Sequence, residues 1–263
     1  MAYFTNGIAF IGAIGNMTAY KMKGTDKIIV RSKGGASKAQ IKHSPGFERT
    51  RENNTEFGGC SYASKAIRQV LFPVKHLADY NFTSTLTKLA KHIQLQDKVG
   101  DRGQRSILLS RHSYLLDGFQ LNKKNTFDYV VRHPAGCFIE RETGSAEIQL
   151  PALNPGFNLV APWQYPFFRF IITFGMVADV VCKESNYQSQ EKLLLPTTAH
   201  TEWQPVKQDF EAQRIVLQLR DLAELDDTKT LLVGIGIEMG MPITNEVIDV
   251  VKYAGCAKIL ATG

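Results

Sequence analysis

The stretch FFRFIITFGMVADVVC, residues 167–182, is the most apolar part of this 263-residue chain. Aromatic and β-branched residues dominate it, which is typical of buried β-strands. Arg169 and Asp179 interrupt it, so it does not supply the roughly 20 apolar residues that a membrane-spanning helix needs. We interpret it as two strands, at 167–173 and 177–182.

Short runs of the same kind continue on both sides of this stretch, from about residue 114 to the end of the chain. Clusters of Pro, Gly and Asn separate them, and little helical periodicity lies between them. Many short strands at this spacing favour an antiparallel sandwich over a sheet built from βαβ units. The further predicted strands are 127–131, 137–141, 146–150, 192–195, 215–219, 231–238 and 257–260.

Helical patterns precede the strand-rich part. Ser44-Pro45 combines a helix N-cap with proline at the first helical position, and Phe72-Pro73 ends the helix that follows. Gly58-Gly59 lies inside this helix and predicts a break or a kink, because glycine weakens helices. A second helix is predicted at 83–96, with an apolar face at helical spacing formed by Leu86, Leu89, Ala90 and Ile93.

The first 35 residues are rich in glycine and alternate in polarity. Residues 18–23 and 27–31 predict a β-hairpin around a turn at Gly24-Thr25-Asp26, and residues 8–14 predict a further extended segment. An isolated hairpin is marginal in water, so this arm must pack against its own body or against another chain.

A chain of this length is long enough for one large domain or two modest ones, each with its own core. The patterns predict an α+β protein, in which an N-terminal β-hairpin arm and helices precede an antiparallel, β-sandwich-like domain. We divide the chain into a basic hairpin arm (1–36), a helical region (37–111) and an antiparallel β-rich domain (112–263).

The net charge of +6 conceals an uneven distribution of charge. Residues 1–111 carry 18 Lys and Arg against 7 Asp and Glu, a net +11, whereas residues 112–263 carry 13 against 18, a net −5. Such asymmetry indicates either an anionic partner or a contact between the basic front of one copy and the acidic back of another. The candidate partner-contact residues are basic side chains of the arm and of the first helix: Lys21, Lys23, Lys27, Arg31, Lys33, Arg49 and Arg51.

One motif is similar to a nucleotide-binding loop but lacks its glycine spacing. In IAFIGAIGNM, residues 8–17, the glycines are spaced GxxG, and the next strand follows Gly15 too soon for a phosphate-binding helix to intervene. We therefore assign Gly12 and Gly15 to turns or to close backbone approach. The six histidines show no metal-ligand spacing and no nucleophile elbow is present, so the sequence predicts neither an enzyme nor a metal or other cofactor. A site assembled from distant residues is the open alternative.

The four cysteines lie far apart and match neither a zinc motif nor a disulfide framework. We expect four thiols, buried as small apolar residues in a reducing compartment, with a disulfide pair as the alternative. The N-terminus lacks the basic residue and the cleavage site of a signal peptide. The expected location is therefore the cytoplasm, or an assembly that is released from it.

Three strings resemble segments of uncharacterised proteins common in Bacteroidetes genomes: GNMTAYKMKG (15–24), IVRSK (29–33) and RTRENNTEF (49–57). The segments FFR (167–169) and VGIGIE (233–238) are similar to stretches of the same group, so the resemblance covers most of the chain. It implies a bacterial protein without a secretion signal, in which a glycine-rich hairpin arm precedes helices and a β-rich tail. It implies no activity, cofactor or catalytic residue.

From these features we expect a structural, self-assembling protein. It would be the subunit of a homopolymer, such as a filament, a tube or a virion-like shell, and its N-terminal arm would dock on a neighbouring subunit. The alternative is a nucleic-acid-binding protein that uses the basic N-terminal region. The expected partners are accordingly other copies of the chain, or nucleic acid.

Overall fold

The computed structural model describes residues 2–3, 10–22, 24–183, 186–188, 195–244 and 246–263. The chain divides into two compact units, Met1–Arg51 and Glu52–Gly263. Each unit has its own sheet structure.

The N-terminal unit contains a four-stranded antiparallel sheet followed by a short helix. The predicted hairpin is confirmed as the pair β3–β4, and the strands stand in the order β1-β4-β3-β2. Helix α1 begins with a capping box, in which Ser37 and Gln40 satisfy each other's backbone N–H groups. The elements are β1 (Ala2–Tyr3), β2 (Gly12–Ile14), β3 (Met17–Lys21), β4 (Ile28–Ser32), α1 (Lys38–His43) and a 3₁₀ turn (Pro45–Phe47).

Gly15 and Asn16 form the turn between β2 and β3. Ile14 pairs with Met17, which leaves a two-residue loop, and Gly15 has a φ of 56°. A positive φ at the first central position is the pattern of a type II′ hairpin turn. The interpretation of Gly15 as a turn glycine is therefore confirmed.

The second unit is built from helices in its first half and strands in its second, and the first turn of its first helix, residues 48–51, falls before the boundary between the units. The helices are α2 (Glu48–Val70), α3 (Thr83–Gln94), α4 (Leu109–His112) and α5 (Phe127–Val130), with 3₁₀ turns at Phe72–Leu77, Ser113–Leu115 and Leu222–Glu224. The strands are β5 (Gly136–Glu140), β6 (Ser145–Leu150), β7 (Phe167–Ala178), β8 (Val181–Lys183), β9 (Asn186–Gln188), β10 (Thr197–His200), β11 (Gln204–Pro205), β12 (Gln213–Gln218), β13 (Lys229–Pro242) and β14 (Ile248–Thr262).

Two antiparallel sheets face each other across one core. The larger sheet has the order β10-β7-β13-β14, with β11 also pairing with β7, and the smaller has the order β12-β6-β5. Phe170 and Phe174 of β7 and Ile148 of β6 are buried in the same apolar cluster. The predicted α+β class and the sandwich-like arrangement are confirmed.

The opposite face of the larger sheet packs against the helices. Ile171 of β7 and Leu232 of β13 share a second apolar cluster with Ile67 of α2 and Leu86 of α3. The hydroxyl of Thr173 donates a 2.8 Å hydrogen bond to the carbonyl of Val70, at the C-terminal end of α2. The unit is therefore layered as small sheet, large sheet and helices.

Three local predictions are wrong. Residues 127–130 form a helix and not a strand, because Phe127 and Val130 are both buried and the amide of Phe127 is held by the side chain of Gln120. Strand β7 continues through Gly175, where the absence of a Cβ leaves room for the Val70 methyl groups. Helix α2 runs unbroken through Gly58-Gly59. The predicted strand at 192–195 lies mostly outside the described residues.

Gly59 is required by packing. A Cβ at this position would lie 2.5 Å from the aromatic ring of Tyr187, whereas a Cβ at Gly58 would meet no atom within 4 Å. Tyr187 thus approaches helix α2 closely at Gly59, whereas the neighbouring Gly58 has no such contact.

Alanine substitutions in α2 are expected to have opposite effects. Gly58→Ala should raise the free energy of unfolding by about 0.5–1 kcal/mol, because alanine favours a helix over glycine. Gly59→Ala should lower it by about 1–3 kcal/mol, because the new methyl group overlaps Tyr187. Urea denaturation of the two variants measures both effects, and equal stabilisation by both would contradict the packing role of Gly59.

Candidate functional site

The basic residues of the N-terminal sheet keep their charges at the surface. Lys21 lies 2.7 Å from Asp26, but both side chains are exposed, so the ion pair is weak. The ammonium group of Lys33 donates a 2.9 Å hydrogen bond to the carbonyl of Gly15. Arg31 lies over the ring of Tyr20, 5.3 Å from its centroid.

The other predicted contact residues divide into structural and surface positions. Arg51 donates from Nη1 to the carbonyls of Ile41 (2.9 Å) and Ser44 (2.8 Å), so it stabilises the C-terminal end of α1. Lys27 and Arg49 are exposed, and Lys23 lies outside the described residues.

The excess of positive charge is confined to the N-terminal unit. Residues 1–51 carry 9 Lys and Arg against 2 Asp and Glu, a net +7, whereas residues 52–263 carry 22 against 23, a net −1. The boundary between the two units is therefore also a boundary of charge.

Apolar side chains of the β2–β3 hairpin are exposed. Ile14 and Met17 are cross-strand partners and share a face of the sheet, and 57% of Ile14 is accessible to solvent. Ile11, Tyr20 and Met22 are exposed nearby in the sequence. We call this set of five exposed apolar residues the arm patch. Because side chains alternate along a strand, Tyr20 lies on the opposite face of the sheet from Ile14 and Met17.

Strand β2 is also an edge of its sheet. In the order β1-β4-β3-β2 it pairs only with β3 among the described strands. An edge strand presents unpaired backbone N–H and C=O groups, which can pair with a strand from another chain. The arm patch therefore combines apolar side chains with a backbone edge.

A second exposed apolar surface lies on the β13–β14 hairpin. Met241, Ile243, Val247 and Tyr253 are all exposed, and Tyr253 is 82% accessible. The acidic side chains of Glu246 and Asp249 lie within the same segment and are exposed as well. We call residues 241–253, apart from residue 245, the hairpin tip.

Tyr253 has an unusual backbone conformation. Its φ is 63°, and it is the one described non-glycine residue with a positive φ. An aromatic residue in the left-handed region costs free energy, so the surrounding hairpin must hold it there. The large ring of this strained residue is exposed at the hairpin tip.

A polar cluster surrounds the buried Glu238 on the helix-facing side of the large sheet. Glu238 lies opposite Arg169 in the register of β13 and β7, and its Oε1 accepts a 2.5 Å hydrogen bond from Arg169 Nε. Its Oε2 lies 2.9 Å from His76 Nε2, and His200 Nε2 lies 4.0 Å from Oε1. The Arg169 guanidinium stacks on Trp203, 4.4 Å from the ring centroid.

The charges within this cluster are matched. Burial raises the pKa of Glu238, but the hydrogen bonds from His76 and Arg169 and their charges outweigh it, so its pKa is lowered overall. Burial and the neighbouring Arg169 lower the pKa of His200, which keeps it neutral at pH 7. The arrangement is that of a satisfied carboxylate that joins β7, β13 and the 3₁₀ turn at Phe72–Leu77.

This cluster is what the sequence could not reveal. Residues 76, 169, 200 and 238 lie on four separate elements, and no spacing in the sequence relates them. The structure thus brings histidines and a carboxylate together, as the alternative of a site assembled from distant residues requires. Across the described ranges, no three His, Cys, Asp or Glu side chains are arranged to hold a metal ion.

No disulfide joins the four cysteines, all of which lie in the described part of the chain. The predicted thiols are confirmed, although only Cys60 and Cys256 are fully buried. Within the described residues, no helix combines the length and the apolarity that a bilayer crossing requires.

No protein-family model, curated protein or solved structure matches the chain. The class that the fold defines is an α+β protein with a basic N-terminal sheet.

Replacing Glu238 should destabilise the protein in a pH-dependent way. Glu238→Gln is expected to lower the free energy of unfolding at pH 7 by about 3 kcal/mol, because it leaves Arg169 without its buried partner. The folded pKa of Glu238 lies below its ordinary value of 4.5, so this contribution is present above pH 4.5 and is lost as the pH falls through the folded pKa.

Urea denaturation between pH 7 and pH 3 measures this difference, which should shrink on acidification because protonated glutamate is as uncharged as glutamine. The exposed neighbour Glu202 supplies the matched control, and Glu202→Gln should leave stability within about 0.5 kcal/mol. A loss for Glu238→Gln that does not change with pH would show that the charge of Glu238 is not its cause.

Proposed function

We propose that this protein is a self-assembling subunit whose N-terminal unit docks on a neighbouring copy. The single observation that carries the proposal is the arm patch. Ile14 and Met17 lie exposed on an edge hairpin, in a unit that carries a net charge of +7. Extended segments that add to a neighbour's surface are a common mode of association.

The hairpin tip of the next copy is the proposed acceptor. It offers exposed apolar side chains, among them Ile243, Val247 and Tyr253, to cover the apolar arm patch. It also carries Glu246 and Asp249, whose negative charge complements the basic N-terminal unit. Apolar burial supplies affinity in this arrangement, and charge supplies orientation.

Two different surfaces on one chain make a heterologous contact. Each copy then donates its arm patch to one neighbour and accepts an arm patch from another. Such contacts close into a ring or continue as an open polymer, depending on the rotation between copies. A ring or a filament follows from this one contact, whereas a tube or a shell requires a second contact between copies.

Polar substitutions on either surface should weaken assembly. Ile14→Gln/Met17→Gln and Ile243→Gln/Val247→Gln are each expected to raise the concentration needed for assembly about tenfold or more, because each removes two apolar contacts. Light scattering and negative-stain microscopy over a concentration series measure this. Val99→Gln/Phe157→Gln changes two exposed apolar residues elsewhere and should assemble normally.

Mixing the two defective variants tests the polarity of the contact. The arm variant retains an intact hairpin tip and the tip variant retains an intact arm patch, so an equimolar mixture should form a dimer that cannot grow. Size-exclusion chromatography with light scattering detects that dimer. If the unmodified protein is a monomer at every concentration, or if the mixture stays monomeric, the proposed contact is wrong.

Nucleic-acid binding by the N-terminal unit is the second candidate function. It is favoured by the concentration of 9 basic residues in residues 1–51, and by Arg31 and Tyr20, which together offer a charge and a ring. Phosphate contacts made by basic side chains release counterions, so the affinity must fall steeply with salt.

An anisotropy titration with a labelled single-stranded oligonucleotide tests this candidate. Binding should be strong at about 50 mM salt and should weaken by about 10³-fold at about 200 mM. Lys27→Gln/Lys33→Gln should reduce the salt dependence, whereas Lys98→Gln in the other unit should not. Absence of binding at about 50 mM salt would exclude this function.

A further inference from the structure

A groove of about 810 Å³ lies between α2 and α3, in the second unit. One face of α2 forms its first wall, and Phe57, Ser61, Lys65 and Arg68 repeat there at helical spacing. Thr83, Ser84, Thr87, Lys88 and Lys91 of α3 form its second wall. A volume of this size is typical of sites that bind small molecules.

The two helices are antiparallel along the groove. Ser64 Oγ donates to the carbonyl of Thr83 at 3.4 Å, so the start of α3 lies beside the end of α2. At the other end Lys91 of α3 pairs with the buried Glu56 of α2. The groove therefore has two distinct ends, one beside Arg68 and one beside Asn53.

Positive charge is distributed along the groove. Lys65, Arg68 and Lys88 line the groove, and no acidic residue does so among the described residues. The Nε atom of Arg68 is buried and has no hydrogen-bond partner in the described part of the chain. A buried N–H without a partner costs free energy. The guanidinium that carries it lines the groove, where its positive charge favours an anionic ligand.

Lys91 contributes differently from the other three cations. Glu56 accepts its hydrogen bond, and the charges of Lys91 and Arg105 help to keep the pKa of Glu56 low against the opposing effect of burial. Its charge is therefore largely met within the protein. Three cations remain for a ligand.

The start of α3 adds dipole and hydroxyl groups to this charge. Its N-cap position, Phe82, makes no side-chain cap hydrogen bond, although Asn81 Oδ1 accepts one from the amide of Thr83 (3.2 Å). Thr83 and Ser84 of the first turn line the groove. The partial positive charge at the start of a helix of 12 residues favours anions, and hydroxyl groups can donate to phosphate oxygens. The anion-binding features thus converge with Arg68 at one end.

Phe57 supplies a flat apolar surface toward the other end. Its ring is 63% exposed, although it stands among polar side chains on the groove wall. Phe57 and Arg68 are eleven positions apart in α2, which corresponds to about 16 Å along a helix. A ligand that uses both ends must carry a ring at one end and an extended, multiply charged group at the other.

We propose that this groove binds a nucleoside di- or triphosphate. The ring of the base stacks on Phe57, and the phosphates contact Arg68, Lys65, Lys88 and the start of α3. Three cations match the charge of a diphosphate or a triphosphate better than that of a single phosphate. The basic N-terminal unit of a neighbouring copy is not a suitable occupant, because its charge has the same sign as that of the groove.

Fluorescence anisotropy of N-methylanthraniloyl-ADP with the full chain, at about 50 mM salt, tests the proposal. Binding should saturate, and ADP should displace the probe. Pyrophosphate and adenosine should each compete more weakly than ADP, because each occupies one end of the groove.

Substitutions separate the two ends. Arg68→Gln should weaken ADP binding about tenfold or more, because it removes a charged donor. Lys75→Gln removes a positive charge at an exposed position that does not line the groove and should change the affinity less than about twofold. Phe57→Ala should weaken ADP and adenosine but leave pyrophosphate unchanged, and circular dichroism should show that each variant is folded.

Two outcomes would overturn the proposal. The first is no saturable binding of the probe, and the second is binding that Arg68→Gln leaves unchanged. Neither bears on self-assembly, because Phe57 and Arg68 belong neither to the arm patch nor to the hairpin tip.

Discussion

The alternation of side chains along the paired strands β7 and β13 is the constraint on which the second unit depends. Twelve residue pairs join these strands, and both faces of the resulting ribbon are covered. Odd-numbered residues of β13, such as Val233 and Ile235, face the small sheet, and even-numbered residues face the helices. Because the side-chain period of a strand is two, a slip of one residue would exchange the two cores.

On the helix-facing side of this ribbon, two positions of β13 are glycines and carry no side chain. Gly234 and Gly236 leave space that the side chains of Leu71 and Leu77 fill, so the 3₁₀ turn at Phe72–Leu77 can lie directly on the sheet. Glu238 occupies the same face, beyond the glycines, and ties His76 of that turn to Arg169 of β7. The same face thus changes from close apolar packing to an ion-paired cluster within three positions of one strand.

The proposed functions use surfaces that are not part of this core. The hairpin tip is the part of β13 and β14 that extends beyond Gly240, where the register of the two strands shifts. The residues of α2 and α3 that line the groove do not include Ile67 and Leu86, whose side chains are buried in the core. The arm patch belongs to a unit with a sheet of its own. Assembly and ligand binding are therefore assigned to separate parts of the chain.

Local pattern was sufficient for the hairpin β3–β4, for α3 and for most strands, because each has a turn, a cap or an apolar period of its own. The charge asymmetry and the thiol state of the cysteines also followed from the sequence. The helix at Phe127–Val130, the continuity of β7 and the unbroken α2 did not. In each case a contact outside the local pattern is involved: Gln120 for Phe127, Val70 for Gly175 and Tyr187 for Gly59.

The candidate sites also combine features that the sequence predicts with features that only the tertiary structure shows. Sequence alone determined that the N-terminal segment is basic, glycine-rich and able to form a hairpin, because charge and turn preference are properties of neighbouring residues. Only the tertiary structure decided that Arg51 serves α1, that Glu238 meets two histidines, and that Phe57 and Arg68 border one groove. These are juxtapositions across elements, and they are set by the packing of faces, for which the spacing of residues along the chain carries no signal.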